Sequence, residues 1–195
     1  MQTKLSNKVM IFSAPSGSGK TTIVKHLLAK FPQLKFSVSS TSRKKRDDEI
    51  DGKDYYFISL NEFKQQIESG KFIEYEEVYE GRLYGTLKSE AERIWNEGKI
   101  IVFDVDVKGG LRIKETYGNQ ALSVFIMPSS LEELRRRLIT RATESIEDIE
   151  KRVSRAEEEL SYAGNFDKII LNHKLHEALK HAETIVEEWI KCEKN

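Results

Sequence analysis

The chain has 195 residues, enough to bury the core of a three-layer α/β fold. Its 32 Lys plus Arg balance 32 Asp plus Glu, so no basic excess points to nucleic acid or an anionic membrane, and phosphate binding must come from local clusters. The only cysteine, Cys192, excludes an intrachain disulfide, and neither a signal-peptide core nor an apolar run of bilayer length is present, so a soluble, cytoplasmic protein is expected.

In chain order, Val9–Ser13 (VMIFS) is a short apolar run that reads as a buried strand. Ile23, Val24, Leu27, Leu28 and Phe31 then recur at helical spacing, and Pro32 ends that helix. Residues 35–40 (KFSVSS) suit a second strand, whereas 41–54 (TSRKKRDDEIDGKD) are polar and aperiodic and suit a loop. Residues 55–59 and Phe72–Tyr79 read as aromatic strands, with a short helix between them opened by the capping box Ser59-x-x-Glu62. This pattern predicts a small strand-rich insertion rather than another βα unit.

A helix over Lys88–Asn96 is expected, with Gly98 at C′, followed by apolar runs at 100–105 (IIVFDV), 122–127 and 169–171. Ser130-x-x-Glu133 caps a further helix, and 147–162 forms a helix crowded with Arg and Glu. Continuous apolar strands separated by helices imply a parallel sheet covered on both faces.

Between the first strand and first helix lies Ser13-Ala14-Pro15-Ser16-Gly17-Ser18-Gly19-Lys20-Thr21, the position a phosphate-binding P-loop requires. The glycines let successive N–H groups turn toward phosphate oxygens, and the helix N-terminus adds its positive dipole end. Lys20 suits the β- and γ-phosphates and Thr21 a Mg²⁺ ion, so Ala14, Pro15, Ser16, Gly17, Ser18, Gly19, Lys20, Thr21 and Thr22 are the expected ATP contacts. Ala14 replaces the usual first glycine. The motif by itself gives only nucleoside triphosphate binding, which kinases, motors and GTPases share.

Ser39, Arg43, Arg46, Tyr55, Glu74, Tyr84 and Thr86 are candidates for a second polar site. Singly, each also suits an exposed strand or a solvated basic loop. The ordered runs SVSSTSRKKR, DGKDYYF, FIEYEEV, YGT, IIVFDVD, RRRL and IILN resemble the guanylate kinase family over essentially the whole chain.

The resemblance implies an α/β P-loop NTPase-type parallel sheet, with 1–37, 90–132 and 163–195 as core, 38–89 as GMP-binding unit and 133–162 as lid. It implies transfer of the γ-phosphoryl group of ATP to GMP, with dGMP as a further acceptor and Mg²⁺ bound with ATP. Arg43, Arg46, Tyr55 and Tyr84 match positions that hold the GMP phosphate; Glu74, Ser39, Thr86 and Asp104 match positions that read guanine. A carboxylate suits the N1–H and N2 amine of guanine, a donor pair that adenine lacks.

Arg137, Arg141 and Arg152 match lid arginines that approach ATP, so Lys20, Arg43, Arg141 and Arg152 form the expected catalytic set. Salt bridges to the surrounding acidic residues are the other reading of Arg141 and Arg152. Asn172 matches an adenine-contacting turn, and Asp106 is either a water-mediated Mg²⁺ neighbour or plain strand-end polarity.

Lys45 stands where a proline is usual, Ala142 where a glycine flanks the arginine, and His173 where an aspartate is common. Partners beyond ATP and GMP are not expected, neither nucleic acid nor membrane, and the sequence carries no signal of oligomeric state. A P-loop kinase for another acceptor and a non-catalytic guanylate-kinase-like binding module are the rival readings.

Overall fold

The computed structural model describes residues 7–140 and 146–191. In chain order the elements are β1 (Val9–Ser13), α1 (Lys20–Lys30), β2 (Leu34–Phe36), β3 (Ser40–Thr41), β4 (Tyr56–Phe57), α2 (Leu60–Glu68), β5 (Phe72–Tyr79) and β6 (Arg82–Leu87). They continue with α3 (Lys88–Asn96), β7 (Ile100–Asp104), α4 (Val107–Tyr117), β8 (Ala121–Pro128), α5 (Leu131–Thr140), α6 (Ile146–Ser161), β9 (Lys168–Asn172) and α7 (Leu175–Lys191). Among the described residues no helix is long and apolar enough to cross a membrane.

Five of the described strands form a parallel sheet in the order β2-β7-β1-β8-β9. β1 is central and buried at every position, which is why its sequence is a continuous apolar run. Its side chains still alternate between two cores. Met10 and Phe12 meet Leu27 of α1 and Ile185 of α7 on one face, while Val9 and Ile11 meet Ile94 of α3 and Ile113 of α4 on the other. Full burial of each such side chain is worth roughly 1.5–3 kcal/mol.

The remaining described strands form a second sheet, β4-β3-β6-β5, with β5 and β6 as an antiparallel hairpin. It has a small core of its own, where Phe63 of α2 stacks on Phe72 at a centroid distance of 4.4 Å beside Leu83. The capping box opens α2 as expected, Glu62 N–H donating to Ser59 Oγ at 3.2 Å. α5 and α6 form a helical pair closed by Leu134, Leu138, Ile149 and Ala156, with Ser130 Oγ accepting from Glu133 N–H at 3.1 Å.

Several elements differ from the sequence expectation. Residues 35–40 are not one strand: β2 belongs to the parallel sheet and β3 to the second sheet, and 37–39 cross between them. The crossing groups find other partners, Ser37 N–H donating to Val102 O at 3.0 Å and Val38 N–H to the Glu90 carboxylate at 3.1 Å. β6 and α7 were not anticipated, although Ala178, Ala182, Ile185 and Val186 of α7 recur at helical spacing. Nor was α4, whose paired glycines argue against a helix by propensity.

Packing explains those glycines. A Cβ at Gly110 would overlap Ser13 Oγ and lie 3.2 Å from Ile11 Cγ2, so glycine lets α4 approach the end of β1. Propensity alone predicts that Gly110→Ala stabilises α4 by about 1 kcal/mol. Overpacking predicts the opposite sign, a loss of ~1–3 kcal/mol in urea unfolding, with Ser13→Ala in the same chain recovering part of it. A stabilised Gly110→Ala protein would show that close approach does not constrain this helix.

Candidate active site

Both halves of the site meet at one cavity of about 420 Å³, a volume typical of small-molecule sites. It lies at the C-terminal ends of β1 and β7, where the sheet order reverses around β1.

The loop leaving β1 curls through a turn closed by Ser18 N–H to Pro15 O at 3.1 Å. Gly17 and Gly19 have φ of 89° and 90°, left-handed values that other residues adopt only at a cost. Gly19 is the N-cap of α1 and no described side chain caps that terminus, so N–H groups of the first turn face the cavity. Asn172 lies beneath the loop, 4% exposed, with Nδ2 donating to Ser18 O at 2.7 Å. It therefore supports that loop through Ser18 and is not among the residues that line the cavity.

Lys20 Nζ donates to Val105 O at 2.8 Å and forms an ion pair with Asp104. Asp104 thus sits beside Lys20 at the start of α1. Asp106 is the N-cap of α4, accepting from Gly109 N–H at 3.0 Å, and its backbone carbonyl accepts from Ser13 Oγ at 3.1 Å. This gives Asp106 a structural duty while it still lines the cavity.

Across the cavity, Arg43 is held on every side. Its guanidinium carbon lies 5.0 Å from the Tyr55 ring centroid and 5.4 Å from that of Phe57, and Nε donates to Tyr84 Oη at 3.2 Å. Both Nη atoms bind the Glu49 carboxylate, Nη1 at 2.6 Å, and Arg46 N–H donates to the same carboxylate at 2.8 Å. Glu49 was missed by the sequence reading, where it is one acid among several in an aperiodic loop. The Arg43 fork holds its carboxyl at about 2, against the opposing effect of burial.

Ser39, Arg46, Tyr55, Glu74 and Tyr84 line the cavity with Arg43, but Thr86 does not. Thr86 is fully buried, and its Oγ1 donates to Glu74 Oε1 at 2.8 Å, so it orients the carboxylate from behind. A Cβ at Gly109 would approach Glu74 Oε2 to 2.9 Å, which makes α4 the other wall of that carboxylate's slot.

On the α6 side, Arg152 Nη1 donates to Ser16 Oγ at 3.4 Å. Arg155 and Glu159, also missed from sequence, line the cavity; Arg155 Nε donates to Glu159 at 2.9 Å and Nη1 to Val78 O at 2.6 Å. Arg137 pairs with Glu133 at 2.8 Å and does not line the cavity. Arg141 and Ala142 lie outside the described residues.

The donor set suits Mg²⁺ arriving with a triphosphate. Among the described residues no cluster of three or more His, Cys, Asp or Glu forms a protein-only metal cage. Thr21 is exposed and lines the cavity, as does Asp106, the sparse oxygen set that Mg²⁺ uses when phosphates and waters complete its shell.

Burial pushes the Glu74 carboxyl up to about 7, with Thr86 opposing the shift. A carboxyl raised above its ordinary value stabilises the fold while protonated, below pH ~4.5, and loses that contribution as pH rises through about 7. Glu74→Gln cannot titrate, so its stability relative to the parent should rise by roughly 3 kcal/mol between pH 4.5 and pH 8 in urea unfolding. A difference independent of pH would show that Glu74 does not carry this linkage.

The family model described as "Guanylate kinase" matches residues 6–189. The guanylate kinase of Bacteroides fragilis is 52% identical over 183 residues, 94% of this chain and 90% of that protein. That of Porphyromonas gingivalis is 48% identical over 184 residues, 94% of this chain and 98% of that protein. Among solved structures, the guanylate kinase of Anaplasma phagocytophilum superposes with a TM-score of 0.77 at 29% identity, covering 97% of this chain and 89% of that one. A shared sequence pattern and a shared fold, spanning both halves of the cleft, make this chain a member of the guanylate kinase family.

Proposed function

We propose that this chain is a soluble, cytoplasmic enzyme that moves the γ-phosphoryl group of ATP onto the phosphate of GMP, giving ADP and GDP. One observation carries the reading: a phosphate loop and a buried carboxylate beside an arginine–tyrosine cluster face each other across a single cavity. Three units divide the work, with 1–37, 90–132 and 163–195 as core, 38–89 as acceptor unit and 133–162 as lid.

ATP lies with its phosphates on the 14–22 loop, bound by the N–H groups at the start of α1 and by Lys20. Thr21, with Asp106 through water, would hold Mg²⁺, which when bound would offset phosphate charge. Guanine gives its N1–H and N2 donors to Glu74 beside Ser39, and the GMP phosphate meets Arg43, Arg46, Tyr55 and Tyr84. Arg43 then exchanges the Glu49 carboxylate for phosphate oxygens.

The acceptor oxygen needs no strong base, because a phosphate monoester's second pKa is near 6. It attacks the γ-phosphorus in line, the bond to the ADP oxygen breaks, and that oxygen keeps the electron pair. Lys20, Arg43, Arg141 and Arg152 offset the charge that spreads over the transferring group. Excluding water from the closed cleft keeps ATP from simply being hydrolysed.

The test is a coupled assay of ADP formation. ADP should accumulate with GMP and not with AMP, CMP or UMP; accumulation without any acceptor would overturn the reading. Lys20→Ala should lower kcat by a factor on the order of 10²–10³ while GMP still binds by calorimetry. Near-normal turnover would remove Lys20 from the transfer step.

Arg152→Ala separates a transition-state role from a salt bridge within the acidic α6. Loss of kcat approaching ~10³-fold with GMP affinity and thermal stability retained is the expected result. Intact kcat with a lowered unfolding temperature would assign Arg152 to structure.

A further inference from the structure

Glu90 is a buried carboxylate outside the cleft that the proposed transfer does not use. It lies in the first turn of α3, and its side chain is 3% exposed. A first-turn acid favoured by the helix dipole and paired with Arg93 three residues on needs no burial. Its other partners explain the burial. Oε1 accepts from Val38 N–H at 3.1 Å, and Oε2 accepts from Tyr56 Oη at 3.3 Å. Arg93 donates to the same two oxygens at 2.8 and 3.0 Å, which balances the charge.

The second sheet runs from β3 to β6 without a break, so the chain connects it to the parallel sheet twice, at 37–39 and at the β6–α3 junction. Glu90 stands on α3, just past one connection, and binds the backbone of the other. Each group it holds adjoins a cavity residue, Val38 beside Ser39 and Tyr56 beside Tyr55. Successive residues of an extended chain face opposite ways, so fixing the back of these segments fixes what their front presents.

We propose that Glu90 is a positioning residue for the acceptor nucleotide: by bracing both connections between the sheets, it holds Ser39 and Tyr55 in the arrangement that receives GMP. The inference rests on GMP being the acceptor. Without the brace, GMP must order the crossing itself, and that cost falls on GMP affinity and not on the ATP site.

The experiment titrates GMP into the full chain by calorimetry, without ATP, and measures KM for GMP and for ATP. Glu90→Ala should raise the GMP Kd and KM on the order of tenfold, because Val38 N–H and Tyr56 Oη lose their acceptor, while KM for ATP and kcat at saturating GMP stay within about twofold. Glu90→Gln and Tyr56→Phe should give smaller losses of the same kind, and Tyr56→Phe should add little to Glu90→Ala.

GMP affinity unchanged in all three single variants overturns the proposal, as does equal weakening of ATP and GMP that follows lost thermal stability. If Glu90→Ala does not fold, Glu90→Gln and Tyr56→Phe decide by the same readouts. A parent protein that fails to bind GMP overturns the acceptor reading instead, and a parent that binds GMP normally beside unaffected variants overturns the brace alone.

Discussion

A fixed cation in a half-buried cleft needs a counter-charge, and this cleft supplies one from its own chain. Lys20 faces Asp104, Arg43 faces Glu49, and Arg155 faces Glu159. Such pairs cost desolvation to build and are expensive to break unless another anion takes the carboxylate's place. In the proposed mechanism, binding a nucleotide phosphate is then an exchange, and affinity would reflect the difference between two anions at the same guanidinium or ammonium. Because Arg43 holds Glu49 at about 2, the competing carboxylate stays charged throughout the physiological range.

Asp104-Val105-Asp106, at and just beyond the end of β7, ties the two sides of the cleft together. Asp104 and the Val105 carbonyl receive Lys20, while Asp106 caps α4 and accepts from Ser13 at the end of β1. α4 in turn forms a wall of the Glu74 slot through Gly109. The base-reading carboxylate of the proposed mechanism is therefore seated against the same helix that is packed on the phosphate-loop strand. Its burial makes guanine's two donors valuable to it, at a cost to the stability of the folded chain above neutral pH.

Much of the fold is legible in the sequence because its signals are local. The buried runs of β1, β7 and β8 read as continuous apolar segments, and the caps at Ser59 and Ser130 mark helix starts within four residues of chain. The break between β2 and β3 is not legible, since KFSVSS has ordinary strand composition and only the choice of two different partner strands divides it. α4 is hidden for a related reason: Gly109 and Gly110 lower helix propensity, and their benefit lies in contacts with residues far away in sequence.

The same division holds for the site. By itself the sequence singled out the P-loop motif, and through the family resemblance the arginine–tyrosine pattern and Glu74, as candidates, because Gly-Ser-Gly-Lys-Thr between a strand and a helix and the ordered family runs need no knowledge of distant neighbours. Only the tertiary structure decided that Thr86 serves Glu74, that Asn172 supports the loop from below, and that Arg137 turns to Glu133. It alone singled out Glu49, Arg155, Glu159 and Glu90 from a chain in which acids and bases are common on every surface. A charged side chain looks the same in sequence whether it is solvated or buried against a partner, and its energetic role depends on which of these the fold imposes.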